Sequence, residues 1–440
     1  MSHRFSASLE GVLPAIATSV TRLPALRAPA LLALGALLVL GCGQDSSDTS
    51  SSIGQARGPS YASWTAPSQD PLEILPFPGV PAPVLQTLDN QTLRQIVRIS
   101  AGGEQLRVRL SNRFGPAPIT IDAAGVARST VGSTIDVGSR VPLTFSGSAR
   151  VTVPVGQEVW SDFVTFSTSN EETLAVTLYS AGPSAMGTAH SLGRQTTYIS
   201  GGDAVDAATL PSQQNPPTSY YWLNAIEVSG QRQRRVLVAF GDSITDGFNS
   251  TLDANHRYPN YLSTLLTSAS APEPFSVVNA GISGNRVLND IVGPAGVSRF
   301  AHDALEPLGV KDVVILLGVN DIGIPFFLGA QDVSAEQITA GLASLLSAAL
   351  AQRLSIYLST LLPFQGAGYY TDAGEAKRKA VNGWIRSNPE VAAVIDFDEL
   401  MANPNDPLTM APSFDSGDHL HPNDAGYETM AGAVQSTLVE

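Results

Sequence analysis

Cysteine is almost absent from this chain. Cys42 stands alone among 440 residues, which excludes an intramolecular disulfide. Basic residues are also scarce: 25 Lys and Arg face 39 Asp and Glu, a formal net charge of -14 at pH 7. No run of Lys and Arg could track a phosphate backbone, so nucleic acid is excluded as a partner. No His, Cys or Asp cluster has metal-ligand spacing, so the expected mechanism needs no metal and no other cofactor. What is abundant is punctuation: 39 Gly and 30 Pro imply many turns in a chain long enough for two or three domains.

The single cysteine is placed informatively. Arg22 and Arg27 precede the apolar run "APALLALGALLVLG", which ends at Cys42. That run is too short for a comfortable membrane span and has the proportions of a signal-peptide core. "VLGC" resembles the lipobox of bacterial lipoproteins, in which cleavage leaves a lipid-carrying cysteine. Residues 1–42 are therefore expected to direct export, with Cys42 as the lipidation site and the membrane as a partner through that anchor. The other reading is a plain secretory signal with an incidental cysteine. Gly43 after the cysteine, rather than Asp, implies by the same resemblance an outer-membrane or cell-surface location. Residues 43–60 are rich in Ser and Gly without apolar periodicity, the composition of a flexible tether.

From residue 61 to about 230 the apolar runs are short and often alternate. In "EQLRVRLSN", Leu106, Val108 and Leu110 point one way and Arg107 and Arg109 the other. At least seven such runs, with almost no helical period, predict an all-β, sandwich-like accessory domain. After "SGQRQRR" the rhythm changes. Strand-like runs at 236–240, 275–281, 312–318, 354–360 and 391–397 alternate with helix candidates near 257–268, 298–306, 334–352, 373–387 and 424–438. That alternation predicts an α/β domain over 236–440 with a parallel five-stranded sheet covered on both faces.

Ligands of open α/β sheets bind beyond the carboxyl ends of the strands. Four polar clusters fall there: "GDSITDG" after the first strand, "NAGISGNR" after the second, "GVND" after the third and "DHLHPND" before the last helix. Together they hold what acyl transfer needs. A serine hydroxyl is a weak nucleophile and requires a nearby base, and a histidine base requires a carboxylate to fix its tautomer. Ser243 is the candidate nucleophile, His421 the base and Asp418 its carboxylate. His419 competes with His421, but Pro422 sets a helix start and Asp418 has room to turn back. The oxyanion of a tetrahedral intermediate needs aimed donors. The Ser243 and Gly281 N–H groups and the Asn320 amide are the candidates.

These blocks resemble the signature blocks of SGNH hydrolases, the GDSL-type lipase/acylhydrolase family, with Ile244 where the name-giving motif has Leu. The resemblance covers about 236–440. It implies a flavodoxin-like three-layer α/β/α sandwich, with Ser243 as nucleophile, Gly281 and Asn320 completing the oxyanion hole, and Asp418 and His421 completing the triad. "SNRFG" and "HSLGRQTTY" in the front half are similar to a two-domain branch of secreted arylesterase or xylan-esterase-like acylhydrolases. That implies short acyl esters of carbohydrates as the substrate class. Lipid or aryl esters are the alternative with the same mechanism. A glycan-binding surface lipoprotein with an inactive hydrolase domain is the alternative without it. Phe327, Tyr369 and Tyr370 follow active-edge strands and could line the substrate site or pack against the sheet edge and front domain. His190, Arg194 and Trp222 of the front half are expected inside the sandwich, with the site within reach only if the halves dock face to face.

Overall fold

Leu106, Val108 and Leu110 are fully buried, as their alternation demands, while Arg107 and Arg109 keep partial exposure. They belong to the first of two antiparallel sheets. The computed structural model describes residues 54–73, 84–268, 274–329 and 332–439, without the Phe327 side chain. Cys42, the leader 1–42 and the tether as far as residue 53 lie outside the described residues.

The β-rich half contains β1 (Ser60–Thr65), β2 (Gln91–Arg98), β3 (Gln105–Ser111), β4 (Ala123–Arg128), β5 (Val141–Pro142), β6 (Glu158–Trp160), β7 (Val164–Thr165), β8 (Thr173–Ser180), β9 (Thr197–Gly201) and β10 (Leu223–Ser229). One five-stranded sheet runs β1-β10-β3-β7, with β6 also pairing β3. The other runs β9-β2-β8-β4-β5. Residues 54–59, expected in the tether, already lie against this half. Gly54 bridges Phe163, and the Arg57 N–H donates to Gln105 Oε1 at 2.7 Å.

The α/β half is built on β11 (Arg235–Gly241), β12 (Phe275–Gly281), β13 (Val310–Leu316), β14 (Ser355–Ser359) and β15 (Ala393–Ile395). They form a parallel five-stranded sheet in the order β12-β11-β13-β14-β15. This is the doubly wound order that places a ligand site where the chain switches direction, beside β11. Val236 to Gly241 are buried at every position, the signature of a strand covered on both faces. The principal helices are α1 (Ser243–Asp246), α2 (Tyr258–Ser268), α3 (Val319–Leu328), α4 (Ala335–Ala351), α5 (Asp372–Arg386) and α6 (Asp424–Val439). Helix α4 begins with a capping box between Ser334 and Gln337. Helix α3 has no counterpart in the sequence reading. Pro325 lies inside it, and a proline removes a donor and disfavours the helix interior, so the pattern there argues for a loop.

The described residues from 54 onward belong to one compact unit, and a single apolar cluster runs from Tyr61 and Leu106 to Phe240 and Val434. Strand β12 is the edge of the parallel sheet, and β1 from the other half lies against it. The Thr65 hydroxyl donates to Asn279 O at 2.7 Å, the Ser276 hydroxyl donates to Ala62 O at 2.7 Å, and the Ala62 N–H donates to Leu308 O at 2.8 Å. An edge that would offer unpaired backbone groups is thereby covered.

A charged knot crosses the same junction. His302 meets Glu158 Oε2 at 2.9 Å and Asp303 Oδ1 at 2.7 Å; Glu158 also meets Arg109 at 3.3 Å. Burial disfavours the imidazolium, but hydrogen bonds and charge from Asp303 and Glu158 outweigh it and push His302 up to about 9. Because that exceeds the free value of about 6.5, the stabilisation is complete below pH 6.5 and is lost as pH rises through 9. The unfolding midpoint should therefore fall more steeply between pH 6.5 and 9.5 in the native protein than in His302→Gln. Parallel pH curves by differential scanning calorimetry would count against this knot.

Candidate active site

The nucleophile turn is set by local chemistry. Asp242 caps α1 by accepting the Ile244 N–H at 3.0 Å, and the Gly247 N–H closes the turn on Ser243 O. Gly247 has φ +91°, and a Cβ there would lie 2.2 Å from Arg257 Cγ, so glycine is required. Ser243 thus opens a one-turn helix at the carboxyl end of β11. Its own N–H, a first-turn donor, has no partner among the described residues.

The long loop before α6 returns to this point. The Ser243 hydroxyl donates to His421 Nε2 at 2.7 Å, and His421 Nδ1–H donates to Asp418 Oδ2 at 2.6 Å. Asp418 Oδ1 also accepts the N–H groups of Leu420 and His421 at 3.0 and 2.8 Å. Burial opposes the Asp418 charge, but the hydrogen bond and charge of His421 with these N–H groups hold it well below the usual carboxylate range. His419 turns away: it adopts φ +60°, is exposed, and bonds Asp415 at 2.6 Å. Ser243, His421 and Asp418 are therefore brought together as expected, and His419 is not part of the chain.

Two neighbours went unnoticed in the sequence. The Phe248 ring lies 4.5 Å from the His421 ring, centroid to centroid. The Asn249 amide donates to Asp418 Oδ2 at 2.9 Å and to Ser416 Oγ at 3.0 Å. Both follow the nucleophile turn in sequence, but nothing in their residue types announces the approach of the 411–423 loop.

The donor side requires one correction. Gly281 is not placed as an oxyanion donor. It ends β12, and its N–H donates to Asn279 Oδ1 at 2.8 Å. Its lack of a side chain serves packing, since a Cβ would lie 2.3 Å from Asp246 N in α1. Within the same block, Gly284 has φ +83° and an N–H without a partner among the described residues. Its neighbours fix it between two parts of the site: Ser283 bonds Asp246 in α1, and Asn285 O accepts the Asn320 amide at 3.0 Å. Asn320 is held from its other end as well. The Tyr369 hydroxyl donates to Asn320 Oδ1 at 3.2 Å, leaving one amide hydrogen uncommitted.

The aromatic expectations divide. Tyr369 packs over Gly323 of α3 and orients Asn320. Tyr370 packs edge-on against Phe364, with ring centroids 5.1 Å apart. Phe327 lies in α3, and its side chain is outside the described residues. Asp321 braces the 282–288 loop by accepting the Val287 and Leu288 N–H groups at 2.7 and 3.1 Å. Burial pushes Asp321 up to about 6, and burial with the nearby Asp321 charge pushes Asp242 up to about 7. Trp222 is internal to the β-rich half, whereas His190 and Arg194 cross the junction. His190 bonds Asp246 at 2.9 Å, and Arg194 bonds Ser250 O.

A serine, histidine and carboxylate in this order at the carboxyl edge of a doubly wound sheet define the hydrolase class that works through an activated serine. Residues 239–429 match the GDSL-like lipase/acylhydrolase family. That part of the chain belongs to this family of carboxylic ester hydrolases, and the β-rich half lies outside the match. No curated protein matches the chain. Solved structures with similarity include an aryl esterase from M. smegmatis, 18% identical, covering 47% of this chain and 98% of its own, TM-score 0.38. A carbohydrate acetylesterase from Sinorhizobium meliloti is 16% identical over 47% of this chain and 99% of its own, TM-score 0.37. A catalytic mutant of an acetylxylan esterase from Geobacillus stearothermophilus is 23% identical over 47% and 95%, TM-score 0.37.

Removing the hydroxyl that orients Asn320 tests the donor side. Tyr369→Phe should lower kcat on p-nitrophenyl acetate by about tenfold and leave KM within twofold. A rise in KM at constant kcat would instead make Tyr369 a substrate contact.

Proposed function

We propose that this protein is an exported serine esterase that removes short acyl groups, acetyl above all, from carbohydrates. The observation that carries the esterase reading is the continuous hydrogen-bond chain Ser243–His421–Asp418. In this reading Ser243 Oγ attacks the ester carbonyl while His421 Nε2 takes its proton. The oxyanion rests on the Ser243 and Gly284 N–H groups and the free hydrogen of the Asn320 amide. Collapse breaks the acyl–oxygen bond, and the sugar alcohol leaves with the proton from His421. Water, activated by the same imidazole, attacks the acyl-enzyme and releases the acid. Asp418, held ionised, fixes the tautomer of His421 throughout.

Burial supports a small acyl group. Ser243 is 5% exposed and His421 8%, with Phe248 against the imidazole, so little open apolar surface adjoins the nucleophile for a long chain. The carbohydrate part of the reading rests on the similarity of "SNRFG" and "HSLGRQTTY" to xylan-esterase-like acylhydrolases. Hydrolysis of a p-nitrophenyl ester series, acetate to palmitate, tests both parts together with acetylated xylan. Acetate should be cleaved fastest, acetate should be released from the glycan, and Ser243→Ala should lose at least a thousandfold in kcat. Fastest cleavage of palmitate would replace this reading with a lipid esterase, and activity on aryl acetates alone with an aryl esterase.

Export and lipidation at Cys42 belong to the same proposal, supported by the Arg-flanked apolar run and the "VLGC" segment. Cys42→Ser should abolish labelling by a fatty-acid analogue and release the protein from membranes. An unchanged membrane fraction would leave a plain signal peptide.

A further inference from the structure

His190 belongs to the β-rich half, outside the matched family region, yet it reaches the helix that carries the nucleophile. Its Nδ1 faces Pro67 O at 3.0 Å and its Nε2 faces Asp246 Oδ1 at 2.9 Å. Asp246 is the last residue of α1, whose first residue is Ser243. The other oxygen of Asp246 accepts the Ser283 N–H at 3.0 Å and the Ser283 hydroxyl at 2.7 Å. Ser283 directly precedes Gly284. One buried carboxylate thus joins the nucleophile helix to the loop that presents the oxyanion donor, and His190 supplies the donor on its far side. His190, Asp246 and Ser283 are 5%, 2% and 7% exposed, so loss of one partner leaves a buried polar group to be satisfied.

We propose that His190 is a positioning residue for acyl transfer at Ser243, fixing through Asp246 the spacing between α1 and the loop 282–285. The proposal rests on the esterase reading above. Without His190, Asp246 Oδ1 loses its partner, and the carboxylate is free to rotate about its bonds to Ser283. That rotation moves the Gly284 N–H relative to Ser243 Oγ. The developing oxyanion is the species most sensitive to such a displacement, because its stabilisation depends on donors already in place. The docking of the two halves does not depend on His190. The Gln195 amide and the Thr196 N–H hold Asp253 Oδ1 at 2.8 and 2.6 Å, the Thr196 hydroxyl holds Asp253 Oδ2 at 2.7 Å, and Arg257 holds Gly193 O. Loss of His190 therefore disturbs the site before it disturbs the fold.

The test uses the full chain and four variants: His190→Phe, His190→Gln, Ser283→Ala and the pair His190→Phe/Ser283→Ala. Each is measured for kcat and KM on p-nitrophenyl acetate, for thermal midpoint and for affinity to phenylboronic acid. That acid adds to a catalytic serine: the Ser243 Oγ–B bond forms, the Oγ proton passes to His421, and the tetrahedral product mimics the intermediate. His190→Phe keeps a ring but no donor. It should lower kcat by about tenfold to a hundredfold, weaken boronate binding by a similar factor and leave KM within about twofold. His190→Gln retains a donor near the Nε2 position and should recover most of both losses. Ser283→Ala should show the same pattern from the other side, and the double variant should lose little beyond the worse single one. Unchanged kcat and boronate affinity in His190→Phe would overturn the proposal. So would a loss of kcat that only matches a loss of folded protein, with boronate affinity per folded molecule unchanged. Should His190→Phe not fold, Ser283→Ala decides, and native kcat in that variant overturns the proposal. The native protein and Ser243→Ala keep the two readings apart. If the native protein cleaves no ester, or Ser243→Ala cleaves as fast as the native protein, the esterase reading itself fails.

Discussion

The site depends on one buried guanidinium. Arg299, in the short helix Gly296–Phe300, is 1% exposed and lies 4.0 Å above the Phe240 ring. It donates to Gly241 O and Ala280 O at 2.8 Å each, to Asn285 Oδ1 at 2.9 Å and to Asp303 at 3.0 Å. Those two carbonyls belong to the last residue of β11 and the last but one of the adjacent β12, strands from which the nucleophile turn and the 282–285 loop depart. A charge so deeply placed persists only with its hydrogen bonds made, and removing a partner from such a pair costs about 3–5 kcal/mol. The strand ends are therefore clamped before any side chain of the triad is considered. Burial lowers the Arg299 pKa, while Asp303 and the other carboxylates around it work against that loss of charge.

From Asp303 the polar chain continues through His302 to Glu158 and Arg109 on the β-rich half. The outward arginines of β3 therefore do not simply face solvent. Arg107 lies between the Trp160 and Phe163 rings at 4.5 and 4.7 Å and pairs with Glu227, and Arg109 pairs with Glu158. The alternation of "EQLRVRLSN" correctly separates the two faces of the strand. It carries no information on what covers the polar one, because a docked face and a solvated face both use charged residues.

The parallel sheet was largely legible. Strand 275–281 follows its apolar run residue for residue, and the triad residues stand where their blocks place them. What was misread shares a physical cause. Gly281 and Gly284 occur three residues apart in one motif, and both are plausible close-approach glycines. Only the hydrogen bond from Gly281 N to Asn279 and the positive φ of Gly284 separate them. Helix α3 escaped because Pro325 outweighs local pattern, whereas packing of the element outweighs Pro325 in the folded chain. His190 lies 56 residues from Asp246, and its sequence context points only to the sandwich interior, since no periodicity records contacts between halves.

Strand β1 carries a consequence for the order in which the chain can fold. The Thr65–Asn279 bond closes a span of 214 residues, and Ser276–Ala62 closes the same distance. Closures of that length are entropically late events. Strand β1 pairs with β10 within its own half, but its docking on the parallel sheet must wait until more than two hundred further residues have emerged and β12 has found β11. Until β1 docks there, β12 is a bare strand edge, open to pairing with another chain. A fragment beginning after the β-rich half would keep that edge permanently, so solubility ties the α/β half to the segment that precedes it as firmly as chemistry does.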